Sequence, residues 1–206
     1  MKWHPSSLGK LMTTARSKSE LLSETTKTYI RSVAKQDFYG YDLELNNKYI
    51  LKGINQEEDS INLLNSVNFT QYTKNTERLT NEWLTGEADI VTEDTIIDVK
   101  TSWSLETFPA TPEEGINKDY EWQLRAYLFL YDKPLAHLCY CMVSTQADLL
   151  NQYENLSLHR VDHIPAEKRI TTITYERDLE LEEEIKTRLH YCTEYYVKYI
   201  NQLNNK

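Results

Sequence analysis

The sequence predicts a single α/β domain with a central mixed sheet flanked by helices. The chain has 206 residues, which is enough for one sizeable core and short for two full domains. Apolar residues recur at helical spacing near both ends, whereas the middle of the chain shows the short runs typical of strands. A strongly apolar helix then separates two of the strands, as in sheets that helices cover.

Helices are predicted for the first part of the chain. Ser6 or Ser7 caps a short helix that runs through Ala15, and the apolar spacing of residues 21–33 predicts an amphipathic helix. A further helix begins near Gly53, because GINQEEDSINLLNSV places its apolar residues at roughly helical intervals.

Short strands are predicted next, at residues 68–73, 78–84, 86–92 and 95–101. Pro109, Pro112 and Gly115 then predict a loop over residues 103–118. After this loop, INKDYEWQLRAYLFLYD predicts an apolar helix, PLAHLCYCMVS a buried strand, and residues 170–174 another strand.

The closing helix has the clearest pattern, with apolar residues in steps of four and three and acidic residues at its N-terminal end, where they suit the helix dipole. We therefore treat residues 1–206 as one domain. Its parts are a helical, mildly basic segment (1–52), a central core (53–175) and a C-terminal helix (176–206).

Composition and charge narrow the possible classes. The chain is 40% apolar and 27% charged, as in ordinary globular proteins, and it contains no apolar run long enough for a membrane span and no secretory signal. Three cysteines favour a reducing compartment, so we expect a cytoplasmic protein. The net charge of −9 argues against a simple nucleic-acid binder, although residues 1–52 carry nine Lys and Arg against five Asp and Glu, a balance of +4 that leaves −13 for the rest.

The predicted hairpin GEADIVTEDTIIDVKTS, residues 86–102, brings charged residues together. A turn centred within TEDT places Asp89 opposite Asp98 and Glu87 opposite Lys100. Because side chains alternate along a strand, these four share one face. The residues that alternate with them point toward a core: Ile90, Ile97 and Val99.

Facing carboxylates repel each other unless a cation lies between them. Magnesium takes hard oxygen ligands, commonly one or two carboxylates, and a bound metal lowers the pKa of water and stabilises charge on phosphate. The same residues also fit an ordinary solvated sheet face. In addition, the turn lacks the Gly or Asn that fixes a tight hairpin register. Both interpretations stay open on this stretch alone.

The order of Asp89 and then IIDVK, ending in Lys100, resembles the core motif of the PD-(D/E)xK nuclease superfamily. EWQLRAYLFL carries Gln123 and Tyr127 at the Q-x-x-x-Y spacing of RecB-type and phage recombination nucleases. GINQEEDS is similar to the G-x-x-x-E helix of lambda-exonuclease and YqaJ-like phage enzymes, with Glu57 as its acid, and HPSSLGKLMT resembles their Ser-rich opening. GEAD stands where the superfamily motif has Pro-Asp.

The resemblance implies a restriction-endonuclease-like core and a metal-dependent exonuclease that digests linear double-stranded DNA in phage-type recombination. It implies Mg²⁺, with Mn²⁺ as a substitute, and a single-strand annealing protein as partner. It also implies a bacterial host cell and a phage or prophage origin. It leaves open whether the chain forms a homo-oligomer.

Residue roles carry over from the same resemblance. Asp89, Asp98 and Glu57 would be the acids at the metal, helped by the Val99 carbonyl, with Lys100 orienting water and Gln123 beside them. Thr101, Ser102 and Tyr127 would contact the substrate. Position and charge, rather than the resemblance, make the loop 103–118 and the basic N-terminal segment, with Lys10, Arg16 and Lys18, candidates for contact with DNA.

Several alternatives remain open. Tyr127 also fits a core aromatic, Glu57 competes with Glu58 and Asp59, and Glu87 is a ligand, a partner of Lys100 or a bystander. An endonuclease of the same superfamily and a non-catalytic binding module are the alternative functions. Two further patterns are better explained by packing than by zinc binding or base stacking: His137, Cys139 and Cys141 on one strand, and Tyr191, Tyr195, Tyr196 and Tyr199 on the last helix.

Overall fold

A four-stranded mixed sheet forms the centre of the protein, in a computed structural model that describes residues 1–42 and 47–205. Strand β3 (Ile90–Val91) pairs antiparallel with β4 (Thr95–Thr101), β4 runs parallel to β5 (Leu135–Cys141), and β5 pairs antiparallel with β6 (Ile170–Glu176). This sheet and its helices confirm the predicted fold class. Two short strands, β1 (Leu79–Thr80) and β2 (Thr85–Gly86), form a separate ribbon.

The helices of the described residues are α1 (Leu8–Leu11), α2 (Glu24–Tyr39), α3 (Lys48–Asn55), α4 (Glu57–Asn68), α5 (Lys118–Tyr131) and α6 (Leu179–Asn204). Short 3₁₀ turns lie at Pro5–Ser7, Ala147–Leu149, Leu156–Leu158 and Ala166–Arg169. Side-chain caps explain where three helices begin. The side chains of Ser23, Asn117 and Asp178 accept backbone N–H bonds from the first turns of α2, α5 and α6.

Helices bury both faces of the sheet. Helix α5 connects the parallel strands β4 and β5 and packs on one face, where α1, α2 and α6 complete a large apolar core. Helix α4 packs on the other face, where Ile61 and Leu64 meet Ile90, Ile97 and Val99. The prediction that these three strand residues point into a core is therefore confirmed.

Several predicted boundaries are wrong. The first helix ends at Leu11 rather than Ala15, and Gly53 lies inside α3 rather than at a helix start. The strand predicted at 68–73 does not form, because α4 runs to Asn68 and Phe69 then takes a positive φ. Asn65 bonds this segment instead, with its side chain accepting the N–H of Tyr72 at 2.7 Å.

The predicted strand 86–92 is also too long. Within and just before this range, only two short segments form backbone pairs with another strand. Ile90–Val91 pairs with β4, and Thr85–Gly86 pairs with β1 in the separate ribbon. The division into parts 1–52, 53–175 and 176–206 stays a prediction. Residues 43–46 and 206 lie outside the described ranges. No helix in the described ranges has the length and apolar character that crossing a membrane requires.

Candidate active site

A cleft of about 470 Å³ opens beside the C-terminal half of β4. The elements around it are the N-terminal ends of α4 and α5, one face of α3, and the residue that precedes β3. The residues that line it are Tyr49, Ile50, Gly53, Ile54, Glu57, Asp89, Asp98, Val99, Lys100, Thr101, Trp103, Tyr120 and Gln123. Every metal ligand and catalytic residue predicted from the sequence is in this set.

The hairpin register places Asp89 at the cleft. The observed pairs, Ile90 with Ile97 and Val91 with Ile96, follow the predicted register. The backbone pairing of β3 with β4 ends there. Beyond it, the Asp89 side chain continues the contact with β4, because its Oδ2 accepts the Val99 N–H at 2.7 Å. A side chain thus replaces the backbone acceptor that a longer strand would have supplied.

Asp98 lies in the middle of β4 and is only 1% exposed. Its Oδ1 accepts a hydrogen bond from Gln123 Nε2 at 2.9 Å, so the amide on the apolar helix α5 has the polar partner that its burial requires. Its Oδ2 lies 2.6 Å from Lys100 Nζ. That contact lacks hydrogen-bond geometry, and no described residue donates a hydrogen bond to Oδ2.

The acidic residues of the cleft disfavour each other's negative charge. Burial and the neighbouring Asp98 carboxylate raise the pKa of Asp89, and they outweigh the opposing effects of Lys100 and the Val99 N–H. Burial alone would lower the pKa of Lys100, but the combined charges of Asp98 and Asp89 outweigh it, and the net shift in that pKa is upward. Lys100 therefore remains an ammonium group.

Glu57 is the acid of the first turn of α4 that lines the cleft, whereas Glu58 and Asp59 are exposed outside it. Its Oε2 lies 2.8 Å from Lys74 Nζ. Its Oε1 is buried and has no hydrogen-bond partner among the described residues. Of the three acids that the sequence left open, Glu57 is therefore the one that lines the cleft.

The polar atoms of the cleft fit a hard divalent cation. Two buried carboxylate oxygens, Asp98 Oδ2 and Glu57 Oε1, lack donors, and the raised pKa of Asp89 reports a site that disfavours its own negative charge. Among residues 1–42 and 47–205, no group of three or more His, Cys, Asp or Glu side chains forms a metal site by itself. Magnesium does not need one, because it commonly binds one or two carboxylates and keeps waters.

The Val99 carbonyl is the further oxygen predicted for the metal. In a strand, the N–H and C=O of one residue point to the same side. Because the Val99 N–H faces Asp89, its carbonyl faces the same edge of β4, beyond the end of β3. The Val99 side chain points away, into the apolar core against α4.

The predicted substrate-binding residues are not all brought together. Thr101 lines the cleft, and its Oγ1 lies 2.8 Å from Ser60 Oγ. Ser102 is buried and does not line it. Tyr127 is also buried, and its hydroxyl donates to the Glu87 carbonyl at 2.8 Å, which agrees with the core alternative and fixes the segment before Asp89.

The basic N-terminal residues lie away from the carboxylates. Lys10 is exposed in a different groove, where its Nζ lies 5.0 Å from the centre of the Tyr29 ring. Arg16 and Lys18 are exposed. From the loop 103–118, Trp103 reaches the lining of the cleft.

Glu87 does not pair with Lys100. Its Oε2 lies 3.8 Å from a guanidinium nitrogen of Arg78, and Lys100 pairs with Asp98 instead. On β5, Cys139 and Cys141 are buried in the core against α4, and His137 Nδ1 lies 3.0 Å from Thr174 Oγ1.

Tyr120 and Lys52 are among the residues near the cleft that escaped the sequence interpretation. Tyr120 lies three residues before Gln123, on the same face of α5, and helical spacing would have indicated it. Lys52 is fully buried and donates hydrogen bonds to the carbonyls of Ser102 (2.7 Å), Trp103 (3.1 Å) and Val143 (2.9 Å). Nothing in the sequence indicates that Lys52 is buried, since lysines rarely are.

Comparison with solved structures places this geometry in a family. A phage-related exonuclease from Haemophilus somnus 129PT superposes with a TM-score of 0.92 and 33% sequence identity, over 98% of this chain and 96% of that one. The chain therefore belongs to the phage-related exonuclease family of PD-(D/E)xK nucleases. The predicted resemblance to the lambda-exonuclease and YqaJ-like group is confirmed.

More distant solved structures share the fold. The alkaline exonuclease LHK-Exo from Laribacter hongkongensis matches with a TM-score of 0.72 and 16% identity, over 99% of this chain and 92% of that one. The structure of LHK-Exo in complex with dAMP matches equally well, with 17% identity. Searches against protein-family models and against curated proteins found no match.

Proposed function

We propose that the protein is a Mg²⁺-dependent exonuclease that hydrolyses the phosphodiester bonds of linear double-stranded DNA. The observation that carries this proposal is the convergence of Asp89, Asp98 and Lys100 in one cleft, with Gln123 bound to Asp98. Membership of an exonuclease family supports the reaction class.

Asp89, Asp98 and the Val99 carbonyl would hold the metal, with Glu57 as a further acid beside them. When bound, Mg²⁺ supplies an activated water and stabilises the charge that develops on the phosphate. Mn²⁺ presents similar chemistry to oxygen ligands and is expected to substitute.

The remaining side chains of the cleft would orient the metal ligands and the attacking water and stabilise charge on the phosphate. Gln123 holds one oxygen of Asp98 and so fixes the orientation of the carboxylate. Lys100 is an ammonium group at the rim of the acidic cluster, and it can orient the attacking water or donate to a phosphate oxygen. Thr101 lines the cleft and is a candidate contact for phosphate, whereas the burial of Ser102 and Tyr127 gives them supporting roles.

Membership of a phage-related exonuclease family supports a role in phage-type recombination. Digestion from an end would leave single strands, on which a single-strand annealing protein acts in phage-type recombination. The exposed Lys10, Arg16 and Lys18 remain candidates for contact with DNA that extends beyond the cleft.

Digestion of end-labelled DNA tests the proposal. Linear duplexes labelled at the 5′ or the 3′ end, and a closed circular duplex, are incubated with Mg²⁺ or with EDTA. We expect release of nucleotides from linear DNA only in Mg²⁺, with the circle intact. Cleavage of the circle would favour the alternative, an endonuclease of the same superfamily. DNA binding without any cleavage in Mg²⁺ or Mn²⁺ would favour a non-catalytic module.

A further inference from the structure

The Lys100 ammonium group has two partners in the cleft. Its Nζ lies 2.6 Å from Asp98 Oδ2 and 4.9 Å from the centre of the Tyr120 ring. A ring face attracts a cation through its quadrupole. The first partner is also a proposed metal ligand, and a carboxylate oxygen that binds a cation is less available to a lysine. The ring does not compete for the metal, and it holds Lys100 by a different interaction.

The Tyr120 ring is itself held in place. Asn117 caps α5, and its side-chain oxygen accepts the Tyr120 N–H at 3.3 Å. The ring packs against Tyr140 with centroids 6.2 Å apart, and the Tyr140 hydroxyl donates to the Gly115 carbonyl at 2.8 Å. The approach of Tyr140 to Gly115 leaves no room for a side chain there, since an added Cβ would lie 2.9 Å from the Tyr140 ring.

We propose that Tyr120 is a positioning residue that holds the Lys100 ammonium group in the cleft through the face of its ring. The proposal rests on the function proposed above. No described residue accepts a hydrogen bond from the Tyr120 hydroxyl, so the structure gives no protein role to the phenol oxygen. A direct contact of that oxygen with DNA is the competing explanation, and the variants below separate the two.

Three variants and one control test the proposal. Tyr120→Leu removes the ring, Tyr120→Met does so with a flexible side chain in case leucine impairs folding, and Tyr120→Phe keeps the ring without the hydroxyl. The matched control is Phe129→Leu on the same helix, because Lys186 Nζ lies 5.0 Å from the centre of that ring, outside the cleft. All are checked for folding by circular dichroism.

Two measurements are made on each variant. Steady-state digestion of linear DNA in Mg²⁺ gives kcat and KM. Separately, the Cε protons of Lys100 are observed by NMR in EDTA, with lysine labelled by ¹³C and assigned through Lys100→Met. Because Lys100 Nζ lies 4.9 Å from the centre of the Tyr120 ring, we expect the ring to shift these protons upfield in the wild type. The second measurement needs neither metal nor activity.

We expect Tyr120→Leu and Tyr120→Met to lower kcat roughly tenfold, the scale of a partly desolvated cation–π pair, with KM unchanged. Their Lys100 resonance moves to the position of a free lysine. Tyr120→Phe recovers both kcat and the upfield shift, and Phe129→Leu keeps them. A wild-type kcat or an unmoved resonance without the ring would overturn the proposal, as would a defect in Tyr120→Phe as large as that in Tyr120→Leu. If the wild type degrades no DNA, the proposed function fails, and the NMR comparison still decides whether the ring holds Lys100.

Discussion

The Asp89 carboxylate accepts the Val99 N–H at 2.7 Å, immediately beyond the last backbone pair of the β3–β4 ladder. One side chain therefore ends the strand pairing and places a carboxylate beside Asp98. The arrangement costs stability, because burial and Asp98 raise the pKa of Asp89.

Asp89→Asn is expected to fold and to be more stable than the wild type in EDTA at pH 8. The amide oxygen can still accept the Val99 N–H, while the buried charge is gone. The free energy of unfolding should rise, because at pH 8 the wild type carries a buried charge that its raised pKa disfavours, at about 1.4 kcal/mol for each pKa unit of the shift. Added Mg²⁺ should raise the melting temperature of the wild type and leave that of Asp89→Asn unchanged. Thermal unfolding with and without Mg²⁺ measures both effects. The control is Asp148→Asn, which changes an exposed carboxylate. If Mg²⁺ raised the melting temperature of Asp89→Asn as much as that of the wild type, Asp89 would be excluded as a ligand.

Lys100→Met should abolish most cleavage while the protein still binds Mg²⁺. Loss of a preorganised donor at a developing charge typically lowers kcat by about 10²–10³-fold. The measurement is kcat on linear DNA, together with the Mg²⁺-induced rise in melting temperature. Lys186→Met removes a lysine outside the cleft and serves as control. Activity of Lys100→Met near that of the control would remove Lys100 from the mechanism.

Gln123→Leu should destabilise the protein and lower its activity. It leaves Asp98 Oδ1 buried without its donor, which costs about 1–3 kcal/mol. Urea unfolding is compared with that of Gln36→Leu, which removes a bond of 3.1 Å from the Gln36 side chain to the Ser32 carbonyl, away from the cleft. Equal losses in the two variants would mean that the Asp98 bond has no special importance.

The burial of Lys52 should make the stability of the folded protein depend on pH. Burial lowers the pKa of Lys52 to about 8, from 10.5 for the ordinary side chain. Between these values the unfolded chain binds more protons than the folded one, so the contribution of Lys52 to stability rises with pH, by up to about 1.4 kcal/mol per pH unit. Urea unfolding of the wild type and Lys52→Met at pH 7.5, 8.5 and 9.5 isolates this contribution. The free energy of unfolding of the wild type should rise relative to that of Lys52→Met as the pH increases. A constant difference between the two would mean that the three carbonyls keep Lys52 charged at its usual pKa.

The sequence predicted which residues form the site better than it predicted where the neighbouring strand ends. Alternation along the strand and the hairpin register place Asp89 near Asp98, because both are local properties of the chain. The early end of β3 was not predictable, since the Asp89 side chain takes the place of a backbone acceptor, and a residue pattern does not show that substitution.

Long-range contacts explain the other differences. The break between α3 and α4 lies at Gln56, whose side chain donates to the Ser144 carbonyl at 2.7 Å, 88 residues away in sequence. The burial of Lys52 depends in the same way on Ser102, Trp103 and Val143. Such partners come from the ends of β4 and β5, and only the assembled sheet brings them to these helices.

Release of nucleotides from linear duplex DNA by the wild type and by Asp98→Asn, side by side in Mg²⁺, tests the central claim most directly. Asparagine preserves the shape of Asp98 and can still accept the Gln123 bond, so the fold should survive while one metal-binding oxygen is lost. The account predicts digestion by the wild type, none in EDTA, and a loss of at least about 10²-fold in Asp98→Asn. Digestion by Asp98→Asn at the rate of the wild type would contradict it.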